Sequence, residues 1–182
     1  ACPVRGHSNV QGDRTMGIWE KPKEWLLTAL DNEFGITSPR HHGYDAVESM
    51  EAFERNEVDV FVSMGGNFSL ACSDTEMLEA GMQRIGLTVH ITKPNRSHIV
   101  HGRTSLILPT LGRTDKDDKH PKGAQFLSVE DSMSVVHSTQ GRLTPVSEHL
   151  LAEPVIVARM AEATFGPDHS VDWRGMAEDY DV

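Results

Sequence analysis

Apolar residues recur three and four positions apart in several stretches of the chain, which is the spacing of one face of an α-helix. The first such stretch follows Pro22 and stops at Gly35. A later stretch can be capped by Ser73 or Asp74 and stops at Gly86. The pattern predicts helices over residues 22–34, 46–54, 74–85, 147–165 and 171–182.

Four short runs rich in β-branched and aliphatic residues predict β-strands. The first run leads into a glycine turn, and the third stops at its proline. Because strands alternate with helices, their order predicts βαβ units and parallel pairing. The expected fold is therefore α/β, with three layers and a mostly parallel sheet covered by helices on both faces, as in dinucleotide-binding domains. The predicted strands span residues 58–62, 87–91, 105–109 and 133–136.

Composition and charge exclude several classes of protein. The chain has 182 residues, of which 38% are hydrophobic, enough for one domain with a buried core and too many for a disordered chain. Twenty-seven acidic and 17 basic residues give a net charge of −10, which repels nucleic-acid phosphates. We find no apolar run long enough to span a membrane, no signal segment, and too few cysteines for a disulfide framework or a structural zinc site. The sequence thus predicts a soluble cytoplasmic protein that binds neither nucleic acid nor membrane.

Two predicted loops follow strands, at the edge where an open α/β sheet binds ligands when its strand order reverses. The pair Gly65-Gly66 lets backbone N–H groups approach a phosphate or a ribose, although a plain tight turn has the same composition. The segment is not Gly-x-Gly-x-x-Gly, so it does not indicate nicotinamide binding. The second loop, residues 93–97, offers cations, an amide and a hydroxyl that suit a nucleotide, or a solvated turn. The candidate binding residues are Gly65, Gly66, Asn67, Lys93, Asn95, Arg96 and Ser97.

The opening segment, residues 1–20, is predicted to be loop because glycines interrupt any regular period. Within it Arg5, Asn9 and Gln11 place three strong polar groups between small residues. The amides can donate and accept hydrogen bonds in the pattern that a pterin or purine ring requires. The segment is therefore a third candidate binding loop.

The histidines and Cys72 give weaker signals. His98 and His101 stand three residues apart, but a metal would need three ligands to converge and the spacing His-Glu-x-x-His is absent, so no metal ligand is predicted. Cys72 is either a low-pKa thiol beside a helix N-terminus or a small packing residue. No nucleophile stands beside a base, which disfavours a hydrolase.

Four segments, in order along the chain, resemble formate-dehydrogenase-like molybdopterin oxidoreductases. Residues 3–12, Pro-Val-Arg-Gly-His-Ser-Asn-Val-Gln-Gly, are similar to the Arg-Gly-x-x-Asn-Val-Gln-Gly segment of that family. Residues 60–67 resemble its strand and Met-Gly-x-Asn/Asp loop, and residues 106–109 its Val-Ile-Leu-Pro strand. Residues 138–142, Ser-Thr-Gln-Gly-Arg, resemble its Asn-Thr-Glu-Gly-Arg segment.

The resemblance implies an enzyme that carries molybdenum or tungsten on bis-molybdopterin guanine dinucleotide and moves two electrons between a small substrate and the metal. It implies that Arg5 lies beside the metal and the substrate, where a guanidinium would stabilise a small anion such as formate. The loops at 65–67 and 93–97 would hold the guanosine of one dinucleotide. The implied cofactor-binding residues are Gly6, Asn9, Gln11, Gly65, Gly66, Asn67, Lys93, Asn95, Arg96 and Ser97.

The chain also departs from the family pattern, which indicates a divergent branch. His7 and Ser8 replace the amides usual in formate dehydrogenases, and Gln140 stands where an acidic residue is common. The cysteines that hold a 4Fe-4S cluster in the family, and its cysteine or selenocysteine metal ligand, are not in this chain. Cys2 and Cys72 match neither, so the segment is expected to be inactive alone.

The sequence is expected to be a piece of a longer polypeptide, because it starts at Ala1 in a binding-type loop and ends within a helical pattern. Residues 1–20 are interpreted as an active-site segment, 21–166 as the cofactor-binding α/β domain and 167–182 as the start of a following segment. The expected partners are the remaining domains of the polypeptide, a small-molecule substrate and an electron acceptor. The alternative is a stand-alone nucleotide-binding regulatory module without catalysis.

Overall fold

The computed structural model describes residues 10–18, 21–66, 68–92, 102–120, 122–131 and 133–180, apart from the side chains of residues 10 and 11. The chain divides into two compact units. The sheet unit comprises Tyr44–Gly112 and Ser147–Glu153. The hairpin unit comprises Ala1–Gly43, Arg113–Val146 and Pro154–Val182.

The sheet unit contains a three-stranded parallel sheet, so the α/β fold is confirmed. Its strands are β1 (Val60–Met64), β2 (Leu87–Thr92) and β3 (Thr104–Pro109), in the order β1-β2-β3. β1 begins two residues later than predicted, because its ladder starts where Val60 pairs with Leu87, the first residue of β2. Among the described strands the order does not reverse, contrary to the expectation for a switch point.

Three helices accompany this sheet. They are α3 (Ala46–Glu54), α4 (Phe68–Ala71) and α5 (Thr75–Met82). Asp45 and Glu48 form a capping box that starts α3, and the Asp74 carboxylate accepts a hydrogen bond from Met77 N–H at the start of α5, as predicted. α5 ends at Met82 rather than at Gly86, because residues 83–85 tighten into a turn.

A single apolar cluster joins these helices to one face of the sheet. Phe53 of α3 meets the ring of Phe61 of β1 edge to face, with the ring centroids 5.4 Å apart. Gly81 lets α5 approach α3 closely, since a Cβ there would lie 2.9 Å from the Cβ of Phe53. The buried members of the cluster are Met50, Phe53, Leu78, Met82 and Ile85, with Val58, Phe61, Phe68, Cys72 and Met77 packed against them.

The hairpin unit differs most from the sequence prediction. The predicted strand 133–136 is wrong: Ser134, with φ 61°, lies in the turn of an antiparallel hairpin that is separate from the parallel sheet. The Asp131 carboxylate holds this turn by accepting hydrogen bonds from Met133 and Val135 N–H. The hairpin strands are β4 (Leu127–Glu130) and β5 (Val136–Thr139).

The helices outside the sheet unit have shifted ends. Residues 10–15 form a helix where loop was predicted, and the predicted helix 147–165 begins only at residue 153. Residues 147–152 stay extended or turned because Leu151 pairs with Thr110, at the end of β3. Pro154 then occupies the first turn of the helix, where its missing N–H costs nothing. These helices are α1 (Val10–Thr15), α2 (Glu24–Phe34), α6 (Glu153–Phe165) and α7 (Trp173–Glu178).

A search of the described residues for a helix long and apolar enough to cross a membrane finds none.

Candidate functional site

The carboxyl ends of β1 and β2 lie side by side at one edge of the sheet. Met64, the last residue of β1, pairs with Ile91, and the N–H of Gly65 donates to the carbonyl of Ile91 at 2.9 Å. Because the two strands are parallel neighbours, the loops that follow them start at the same edge. We call this edge, with Gly65 and Gly66, the strand-end site.

The glycines of the strand-end site expose their backbone. Gly65 has a φ of 69°, a left-handed conformation that strains any side chain, and both glycines are exposed. A Cβ on Gly66 would meet only the carbonyl oxygen of Met64, at 4.0 Å, so the space above it is open. The geometry allows close approach of a ligand, and a tight turn would look the same.

Glu153 lies at this site, which the sequence did not indicate. A Cβ built on Gly65 would lie 3.4 Å from Oε1 of Glu153. A carboxylate repels phosphates, whereas it accepts hydrogen bonds from ribose hydroxyls or from the N–H groups of a guanine edge. The chain reaches this position through the pairing of Leu151 with Thr110, a long-range contact that no local pattern predicts.

Ser69, in α4, carries a second feature that sequence reasoning did not single out. The residue is 2% exposed, and its Oγ has no hydrogen-bond partner among the described residues. A buried hydroxyl without a partner costs about 1–3 kcal/mol, so such atoms call for a specific explanation. In the hairpin unit the Nε1 of Trp173 is also buried without a hydrogen-bond partner among the described residues.

Most residues of the predicted site fall outside the described residues. Gln11 lies in α1 rather than in a loop, and its side chain is not described. Apart from the backbone of Gln11, only Gly65 and Gly66 of the predicted site residues are described, and the roles of all of them stay predictions. The residues outside the described part are Arg5, Gly6, Asn9, Asn67, Lys93, Asn95, Arg96 and Ser97.

A cavity of about 280 Å³ lies in the hairpin unit, and none of its described lining residues is a predicted site residue. Gly141 is required beside it, because a Cβ there would lie 1.7 Å from the carbonyl oxygen of Asp115. The phenol of Tyr180 donates a hydrogen bond to Asp117 at 2.5 Å. The pKa of Tyr180 is raised, mainly by burial and secondly by this hydrogen bond. The lining residues are Lys116, Asp117, Asp118, Ala124, Gln125, Gln140 and Gly141.

The described residues contain no group of three His, Cys, Asp or Glu side chains that could hold a metal ion. His98 and His101 are outside them. Cys72 packs against the apolar cluster, and burial raises the pKa of its thiol. The packing interpretation of Cys72 therefore holds, and the low-pKa alternative is wrong.

Over its whole length the chain is similar to part of longer proteins; no family model matches it. Proteins of Mycobacterium bovis and Mycobacterium tuberculosis, each named an uncharacterized oxidoreductase, are 58% identical over 182 residues, covering all of this chain and 23% of each relative. Protein YdeP of Escherichia coli is 45% identical over 181 residues, covering 99% of this chain and 24% of that protein. The chain thus spans about a quarter of the length of the curated relatives it matches.

Proposed function

We propose that this chain is the central cofactor-binding domain of a molybdopterin-dependent oxidoreductase that resembles formate dehydrogenases. Two independent lines support the proposal. Relatives at 58% identity are named oxidoreductases and are about four times as long as the region that matches. The four ordered sequence segments resemble this family in particular.

The observation that carries the proposal is the exposed glycine backbone at the carboxyl end of β1, beside the carboxylate of Glu153. At the edge of a parallel sheet, this combination suits the guanosine of a dinucleotide better than its phosphates. Gly66 leaves room for the nucleoside, and Glu153 can accept from its hydroxyls or base N–H groups. The hydroxyl of Ser69, four residues along the chain from Gly65, has no partner within the described part of the chain, so it is a further buried group whose hydrogen bonding a ligand can complete.

These residues fit one guanosine of bis-molybdopterin guanine dinucleotide, which supplies a molybdenum or tungsten centre that exchanges two electrons with the substrate. The chain's own groups have simpler tasks. Gly65, Gly66 and Glu153 bind and orient the nucleoside, while Lys93 and Arg96 neutralise phosphate charge from the neighbouring loop. Arg5, whose role follows from the family resemblance, would bind a small anionic substrate, for which a guanidinium offers several N–H donors.

Metal and nucleotide content of the full-length protein tests the proposal. Protein purified from cells that make the cofactor should contain stoichiometric molybdenum or tungsten and release guanine nucleotide on acid treatment. A metal-free protein from the same cells, with guanine nucleotide bound reversibly, would instead favour the stand-alone regulatory module.

A further inference from the structure

The cavity in the hairpin unit, which we call the hairpin-unit cavity, is built from chain segments that backbone hydrogen bonds join. The N–H of Lys116 donates to the carbonyl of Leu143, and the N–H of Leu143 donates to the carbonyl of Thr114, each at 2.8 Å. The N–H of Gln125 donates to the carbonyl of Asp117 at 2.7 Å. The walls of the cavity are therefore held in place by the backbone, independently of side-chain rotamers.

Two of the lining side chains are held by the C-terminal residue Tyr180. One carboxylate oxygen of Asp117 accepts a hydrogen bond from the Tyr180 phenol, and the other lies 3.4 Å from Nε2 of His120. The side-chain oxygen of Gln125 accepts a hydrogen bond from the N–H of Tyr180 at 3.3 Å. Both oxygens of Asp117 are therefore engaged by the protein, whereas the NH2 group of Gln125 has no partner within the described part of the chain.

Three other lining side chains carry polar groups that the protein does not use. Lys116, Asp118 and Gln140 are exposed, and their side chains form no hydrogen bond or ion pair with the residues that the structure describes. Exposure alternates over residues 116–118, which indicates that Lys116 and Asp118 share one side of this segment. A cation and an anion that line the same cavity without pairing offer two opposite charges to a ligand.

We propose that the hairpin-unit cavity binds a small zwitterion of the α-amino acid class. Lys116 and the NH2 group of Gln125 donate to its carboxylate, and Asp118 accepts from its ammonium group. The Asp118 carboxylate disfavours a phosphate, which carries only negative charge. Cavities that hold drug-sized ligands have about 300–1,000 Å³, so a cavity of about 280 Å³ suits a molecule of this smaller class.

Ligand-detected NMR on the full-length protein tests the proposal, with the common amino acids as probes. At least one amino acid should give a saturation-transfer signal. Its N-acetyl derivative lacks the ammonium group and its carboxamide lacks the carboxylate, so each should bind about tenfold more weakly. These comparisons use the unaltered protein and do not depend on the folding of a variant. The absence of a signal from every amino acid, or undiminished binding of either derivative, would overturn the proposal.

Two variants that each remove one charge, with matched controls, locate the binding. Lys116→Gln and Asp118→Asn should each weaken binding of that amino acid about tenfold. Lys23→Gln and Asp168→Asn remove the same charges from exposed positions of the hairpin unit outside the cavity, so they should leave the affinity unchanged. Undiminished affinity in either cavity variant would overturn the assignment. The outcome is independent of the proposed function, since none of these residues belongs to the strand-end site and the probe is not a nucleotide.

Discussion

Gly65 combines a left-handed backbone with an open position at the strand-end site, and Gly123 supplies a matched control. Both have positive φ, 69° and 102°, and at neither would a Cβ meet an atom closer than 3.4 Å. Changing either to alanine should cost a similar amount of stability, about 1 kcal/mol, from backbone strain. Only Gly65→Ala should also lower the metal and guanine-nucleotide content of the full-length protein. Equal cofactor content in the two variants would exclude the glycine from the site.

Substitution of Ser69 distinguishes a ligand-binding role of its hydroxyl from a structural role. In cofactor-free protein, Ser69→Ala removes a buried hydroxyl that has no partner among the described residues, so stability should be unchanged or rise by up to about 1 kcal/mol. The same change should weaken cofactor retention. Ser38→Ala is the contrasting variant, because that hydroxyl hydrogen-bonds Asp31 and its loss should destabilise the protein. Thermal unfolding of the two variants, with and without cofactor, measures these changes in stability. A loss of stability caused by Ser69→Ala in cofactor-free protein would contradict the account.

Arg5 is assigned only through the family resemblance, and its test is kinetic. Arg5→Lys in the full-length enzyme should keep metal and cofactor but lower turnover about ten- to a thousandfold, because an ammonium cannot reproduce a planar two-point contact. Steady-state kinetics with the true substrate, on samples matched for metal content, measure this. Unchanged kinetics would remove Arg5 from the active site.

At the scale of single elements, the β4–β5 hairpin depends on one carboxylate. Three hydrogen bonds lower the pKa of Asp131. The largest effect comes from His137, and smaller ones come from the N–H groups of Val135 and Met133. A lowered carboxyl pKa means that the stabilisation is present above the unfolded value of about 4 and is lost as pH falls through the folded value.

Acidification from pH 6 to pH 2 should therefore loosen the hairpin turn, which amide NMR signals of residues 133–139 report. Asp131→Asn should weaken the turn already at pH 6, since an amide accepts less strongly and carries no charge. Asp118→Asn, an exposed aspartate outside the hairpin, should leave these signals unchanged. A hairpin whose signals do not respond between pH 4 and pH 2 would contradict this role of Asp131.

Elements with local signals could be predicted, and those fixed by distant contacts could not. Two helix boundaries depend on local signals that the sequence shows. They are Asp74, which caps the start of α5, and Gly35, the left-handed glycine that ends α2. Residues 147–152 have a helical pattern, yet pairing of Leu151 with Thr110 overrides it. Likewise Val135 and Val136 favour a strand, but the turn chemistry of Asp131 delays its start.

At the scale of the whole molecule, the candidate site likewise combines residues that local sequence signals could predict with residues that only distant contacts bring into place. The glycine loop after β1 is a local signal, and parallel pairing places it at the same edge as the carboxyl end of β2. Glu153 stands 88 residues from Gly65 in the sequence and reaches it only through the tertiary fold. The Ser69 hydroxyl, which lacks a partner among the residues that the structure describes, stands out only because it is buried, and sequence spacing does not reveal burial.

The most direct test of the strand-end site is titration of guanosine monophosphate into the isotopically labelled chain, followed by NMR. Because a dinucleotide in this family is held between domains, binding to this chain should be weak, millimolar or poorer, about 4 kcal/mol or less. Shifts should be confined to the strand-end site and its neighbours, namely Gly65, Gly66, Asn67, Ser69, Glu153 and residues 93–97. Micromolar affinity, or shifts centred on the hairpin-unit cavity and residues 115–120, would contradict the account.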